Sequence, residues 1–295
     1  MNYQISNHFL TVTVSSHGAE IQSVRDQNTN REYMWQADPT IWGRHAPVLF
    51  PFVGRLKNDQ YTYQGKVYHM GQHGFARDLE FELERQEKEA LVFLLKDSPE
   101  TFKNYPFHFE FRVTYRLLNN LVQVKFNVKN LTDHEMIFGV GGHPGFNVPL
   151  EDGLKKEDYY FSFLPSTSRI QVPLKAPYVD WPNRSLAATD SLISLSDHLF
   201  KNDALIFELS GETKISLRTE KSDYHINVWI PEAPFVGVWS QYPKTGPYVC
   251  IEPWWGLADL WQHDGNLETK RGMNHLDAGQ DFETRFSMAF HDHAI

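Results

Sequence analysis

The stretch FEFRVTYRLLNNLVQVKFNVKN, residues 109–130, decides the fold class. Phe109, Phe111, Val113, Tyr115 and Leu117 alternate with Glu110, Arg112, Thr114 and Arg116, and the same period of two resumes from Leu121. Successive side chains of a strand point to opposite faces, so the alternation predicts two half-buried strands over 109–118 and 121–130. Asn119-Asn120 between them is a two-residue hairpin signal, because asparagine tolerates positive φ. Similar runs predict strands at 9–14, 79–86 and 89–96, and further ones at 157–163, 205–210, 213–220, 225–230, 235–240, 247–252 and 281–290. Only 98–105 and 194–201 read as short helices, each opened by a Ser or Asp cap. Strands that follow one another without intervening helices imply an antiparallel all-β architecture. The stretch 171–190 reads as loop but is too short to divide the chain, and no repeat or Gly/Ser linker appears. The expectation is one large antiparallel β-sandwich domain over residues 1–295.

Composition narrows the partners. The net charge of −9 and pI near 5.8 argue against nucleic acid or an anionic membrane, both of which need a clustered positive field. Cys250 is the one cysteine, so no internal disulfide forms, which fits a reducing compartment. The start MNYQISNHFL lacks the basic and apolar regions of a signal peptide. The apolar run ALVFLL is far below the ~20 residues a membrane helix needs. A cytoplasmic protein is expected. Neither HExxH nor CxxC spacing appears, nor a phosphate-binding glycine loop, so neither metal nor organic cofactor is expected. His291 and His293 read as a solvated tail, and Cys250 as a half-buried strand residue.

Four segments hold side chains suited to chemistry. In GVGGHPGFNVPL (139–150), Pro144 biases His143 toward an extended backbone, and Gly139, Gly141 and Gly142 permit close approach or unusual dihedrals. His143 is then either a turn histidine or a proton donor, since imidazole titrates near neutrality. In YVCIEPWWG (248–256), Tyr248, Cys250 and Glu252 share a face, and Pro253 should end the strand at Glu252. A carboxylate there, beside Trp254 and Trp255, suits a sugar: the indoles offer apolar contact to a pyranose while the carboxylate takes a hydroxyl proton. It equally describes a surface glutamate beside core tryptophans. GQHGFARD (71–78) holds His73 and Arg77, and PFVGRLKN supplies Arg55; these guanidinium forks can serve a polar or anionic ligand, or simply face water. Asp203 opens the strand of KNDALIFEL, where an aspartate is commonly a cap.

Taken together, GAEIQSV, PFVGRL, HGFARD, GGHPGFN and CIEPWWGLAD, in that order and over nearly the whole chain, resemble the aldose 1-epimerase (mutarotase) superfamily, above all its LacX-type branch and hexose-6-phosphate epimerase relatives. The resemblance implies a galactose mutarotase-like β-sandwich and a cofactor-independent isomerase that interconverts the α and β anomers of a hexose. It implies Glu252 as general base in carboxylate form and His143 as general acid in imidazolium form. His73, Arg55, Arg77 and Trp254 would bind the sugar. Asp203 falls where a sugar-binding aspartate is expected, with Asp197 close by as its competitor. One departure stands out: HPGF here where many galactose mutarotases have HPYF, so Gly145 removes a bulky ring near the site. Hexose-6-phosphate 1-epimerase and a non-catalytic carbohydrate-binding protein are the competing readings. A glycosidase ranks low, because only one convincing carboxylate is present. The expected partner is a small sugar, with a homodimer as the one assembly left open.

Overall fold

The computed structural model describes residues 1–291; His293 lies outside them. Strands Phe109–Leu118 and Leu121–Asn130 pair antiparallel, with Leu118 opposite Leu121 and Asn119 at φ 55° in the turn, as the alternation predicts. They sit within a nine-stranded antiparallel sheet flanked by Ala90–Lys96 on one side and Asp281–His291 on the other. Phe111, Val113, Tyr115, Val124, Phe126 and Val128 all face inward and are buried. Removing each such side chain from water contributes roughly 1.5–3 kcal/mol.

The second large sheet runs, in spatial order, through Ser185–Ala187, Arg169–Val172, Leu205–Glu208, Phe235–Trp239, Tyr248–Trp255, Val140–Gly142 and Val48–Leu49. Val236, Val238, Val249, Ile251 and Trp255 join the same apolar cluster as Phe126, Phe286 and Met288 of the first sheet. The two sheets therefore pack face to face as an all-β sandwich. Gly142 allows the close approach: a Cβ there would lie 2.7 Å from the Phe286 ring. Because side chains alternate along a strand, Glu252 and Trp254 emerge on the outer face of this second sheet, away from the interlayer core.

Several expectations are corrected. Pro253 does not end the strand, which continues to Trp255. The neighbouring strand is interrupted at His143-Pro144, between Val140–Gly142 and Gly145–Asn147, so a missing N–H at Pro253 removes no rung on that flank. The helix expected over 194–201 shrinks to a 3₁₀ turn, Asp197–Phe200, whose Ser196 makes no side-chain cap bond. The helix Pro99–Asn104 does form, capped by Ser98. The supposed loop 171–190 contains short strands at Leu174–Lys175, Tyr178–Val179 and Ser185–Ala187. The strand expected from residue 79 begins only at Glu82 and is bulged between Leu83 and Arg85. His291 is not in a tail: it ends the last strand and stacks on His225 at 4.3 Å. Cys250 is fully buried rather than half-buried. Among the described residues no helix is long and apolar enough to cross a membrane.

Candidate active site

The outer face of the second sheet is roofed by loops, and beneath them lies a cavity of ≈ 340 Å³. His143, Glu252, His73, Arg55, Arg77, Asp203 and Trp254 all line it. Segments far apart in sequence thus converge, which no local pattern could show. Asp197 does not line the cavity; it pairs with the buried Lys156 at 3.2 Å.

At the centre, His143 Nε2 lies 3.1 Å from Glu252 Oε2, with the two side chains only 8% and 2% exposed. The interruption of the strand makes this contact. His143 occupies the break between two short strands that both pair with Tyr248–Trp255, so the imidazole is delivered beside the carboxyl two residues from Trp254. The preceding glycines serve close approach rather than unusual dihedrals, for none of Gly139, Gly141 and Gly142 has positive φ. A Cβ on Gly141 would stand 2.9 Å from the Trp254 indole.

Burial governs the charges. It pushes the Glu252 carboxyl well above the usual carboxylate range, the nearby negative charge of Asp203 pushing the same way and the Trp254 indole opposing. It pulls the His143 imidazole down to about 3, opposed by its own backbone and helped by the positive Arg77 and Arg44. Both groups are driven toward their neutral forms. Burial thus favours a carboxylic acid beside a neutral imidazole. That state holds the same single proton as the carboxylate–imidazolium pair implied by the sequence, placed on the other partner.

His73 is held by its backbone. Its φ of 67° lies in the left-handed region, its N–H donates to Gly54 O at 2.8 Å, and Nδ1 accepts from the Gly54 N–H at 3.0 Å. An accepting Nδ1 assigns the proton to Nε2, which can then donate to a ligand. Burial, His143 and the neighbouring arginines keep His73 neutral. Arg77 donates to Gln72 O at 2.6 Å, and its Nε is buried without a hydrogen-bond partner. Burial and Arg44 lower its pKa to about 10, so it stays charged near neutrality. Arg55 is more open, with Gln72 Oε1 at 3.3 Å and Asp59 at 3.5 Å. Asp203 has φ 77° and binds its neighbour's N–H at Ala204.

Residues not foreseen are Trp42, Gln72, Trp239, Gln241 and Arg44. The first four line the cavity, and Arg44 approaches Arg77 and pairs with Asp78 at 2.7 Å. Gln72 was adjacent to His73 and could have been named from the company it keeps. Trp42 sits in a loop without periodicity and carried no signal. The ligand atoms of His143, Cys250 and Glu252 lie within 4.8 Å of one another, the one grouping among the described residues that could hold a metal ion. Two of its three members are the imidazole and carboxyl that touch at 3.1 Å.

Residues 1–266 match the aldose 1-epimerase family. The chromosomal LacX protein of Lactococcus lactis subsp. lactis is 32% identical over 287 residues, covering 92% of this chain and 93% of that protein. A galactose mutarotase related enzyme from Lactobacillus acidophilus superposes with a TM-score of 0.98 at 61% identity, covering 100% of both chains. A galactose mutarotase-like protein from Lactobacillus casei ATCC 334 superposes at 0.89 and 30% identity, covering 99% of this chain and 100% of the other.

Proposed function

This chain belongs to the aldose 1-epimerase family, and we propose that it interconverts the α and β anomers of a hexose by acid–base ring opening at His143 and Glu252. One observation carries the reading: an imidazole and a carboxyl in hydrogen-bond contact at 3.1 Å, buried at the bottom of a cavity with tryptophan walls. The anomeric hydroxyl O1 and the ring oxygen O5 are bonded to the same carbon. A base and an acid that serve them must therefore stand side by side, as these two do.

Sugar binding draws the pair into its carboxylate–imidazolium form by a proton hop along the existing hydrogen bond. Glu252 then takes the O1 proton, C1=O1 forms as the C1–O5 bond breaks, and His143 gives its proton to O5. Rotation about C1–C2 and closure on the other face of the aldehyde reverse both transfers. The open-chain state leaves the pair neutral, which is the form that burial favours, so the protein's own electrostatics lower the cost of ring opening. Each positioned proton transfer supplies about 10²- to 10⁴-fold. His73 Nε2, Asp203, Arg55 and Arg77 hold the hydroxyls, and Trp254 takes the apolar face.

Arg77 and Arg55 on one wall favour a second form of the reading, a hexose bearing a phosphate. Polarimetry of freshly dissolved α-glucose, α-galactose and glucose 6-phosphate tests both. Acceleration of at least one of the free sugars supports the first form, acceleration of the phosphate ester alone supports the second, and no acceleration of any contradicts the proposal.

A further inference from the structure

The sequence leaves a gap at Gly145, and the structure shows what fills it. A Cβ on Gly145 would come within 2.8 Å of Trp42 Cζ3 and 3.1 Å of His45 O. The Trp42 indole is no loose surface ring. It stacks on the His143 imidazole at 5.0 Å and 27°, on Tyr248 at 5.3 Å and 9°, and meets Trp239 edge-on at 5.5 Å. Its carbonyl accepts the Trp35 indole N–H at 2.8 Å. The backbone of Gly145 is equally fixed, donating to His45 O and accepting from the Trp35 N–H, both at 2.9 Å.

We propose that Trp42 is a positioning residue for the reaction: it occupies the room a side chain at position 145 would take, covers one face of the His143 imidazole, and keeps water from it. The proposal rests on the acid–base reading of His143. Two opposite effects of a stacked indole must be weighed. An aromatic face attracts a cation, worth ~0.5–2 kcal/mol, which would favour imidazolium. Covering the ring also denies the cation water, which disfavours it. Burial is the leading influence on His143, so exclusion of water is the larger effect here. The other groups around the imidazole are Glu252 and Cys250 from the catalytic strand, His73 and Arg77 from the 71–78 segment, and Arg44 from the loop that carries Trp42. Trp239 meets the ring edge-on at 5.6 Å, and Trp42 stacks over its face; neither offers a charge.

The test is the titration of His143 followed by NMR, with its signal assigned by loss in His143→Asn. This readout needs no turnover, so it stands apart from failure of the mutarotase reading. In the wild type the ring stays neutral through the accessible acidic range. Trp42→Ala should raise its pKa by about one unit or more, and Trp42→Phe, which keeps a covering ring, should restore most of the wild-type behaviour. Gly145→Ala should shift the titration in the same direction as Trp42→Ala while leaving Trp42 unsubstituted, since the new methyl displaces the indole. In turnover, the ratio of activity at about pH 4 to that at about pH 8 should fall about twofold in Trp42→Ala, because a rise of about one unit from about 3 leaves half of the pairs with a second proton at pH 4. A folded Trp42→Ala whose His143 titration is unmoved or lowered overturns the proposal. Should Trp42→Ala not fold, an unmoved titration in Gly145→Ala overturns it equally.

Discussion

A glutamate in water titrates near 4.3 and a histidine near 6.5; at the centre of this site burial drives the first up and the second down. The consequences for stability have opposite signs. Above about pH 4.3 the unfolded chain releases the Glu252 proton while the folded chain keeps it, so Glu252 weakens the fold progressively as pH rises. Glu252→Gln keeps the shape and removes this penalty. Its melting temperature should therefore exceed the wild type's by more at pH 8 than at pH 5, with a difference of about 2 °C or more. His143 works the other way: below about pH 6.5 the unfolded chain gains a proton that the folded chain refuses down to about 3. His143→Asn should thus help more at pH 5 than at pH 8. Thermal melts at the two pH values check both, and an equal change at both would contradict the burial account. For catalysis the single-proton state spans a wider pH range than a solvated Glu–His pair would allow. Activity should be flat through neutrality rather than sharply peaked.

At the scale of the element, the hairpin over 109–130 was legible to the residue. Its alternation and its asparagine turn are local, and tertiary packing only confirmed them. The segment carrying Glu252 was misjudged for the opposite reason. The local rule that proline ends a strand yielded to a distant fact, the break in the neighbouring strand at His143-Pro144. The same break brings acid to base, so the feature that defeated the sequence rule is the one that builds the site. Trp42 was illegible because its partners His143 and Tyr248 lie far along the chain and its own loop has no pattern. Gly237 illustrates how tightly these strands constrain the walls: a Cβ there would meet the Trp254 ring at 2.6 Å. Gly237→Ala should tilt that indole and raise KM several-fold, about tenfold at most, with kcat nearly kept, because a wall contact serves sugar and transition state alike. Polarimetric kinetics across sugar concentration distinguish this from a loss of kcat.

At the scale of the molecule, the main apolar cluster joins Ile5 of the first strand to Phe290 of the last. We propose on this ground that the chain unfolds as one unit, and a single coincident denaturant transition by fluorescence and circular dichroism would bear that out. The loops over the cavity have their own fastening. Asp259, 1% exposed, accepts from Lys270 Nζ and from the Lys57 N–H, both at 2.9 Å, and its N–H donates to Arg55 O at 3.0 Å. Lys270→Met would strip that buried carboxylate of its ammonium partner and should cost about 3–5 kcal/mol in denaturant unfolding. The sandwich and seven of the residues that line the cavity were within reach of sequence and family likeness. The proton placement and the tryptophan cover were not, because both depend on burial in three dimensions.

Glu252 as the base is tested by the polarimetric relaxation of a fresh α-anomer, on the sugar that the wild type turns over best, with wild type and Glu252→Gln at equal concentration. The amide keeps the shape and the contact to His143 but cannot take the O1 proton. Acceleration should fall by about 10²-fold or more while the variant remains folded and no less stable at neutral pH. A folded Glu252→Gln that relaxes the sugar at close to the wild-type rate would contradict it.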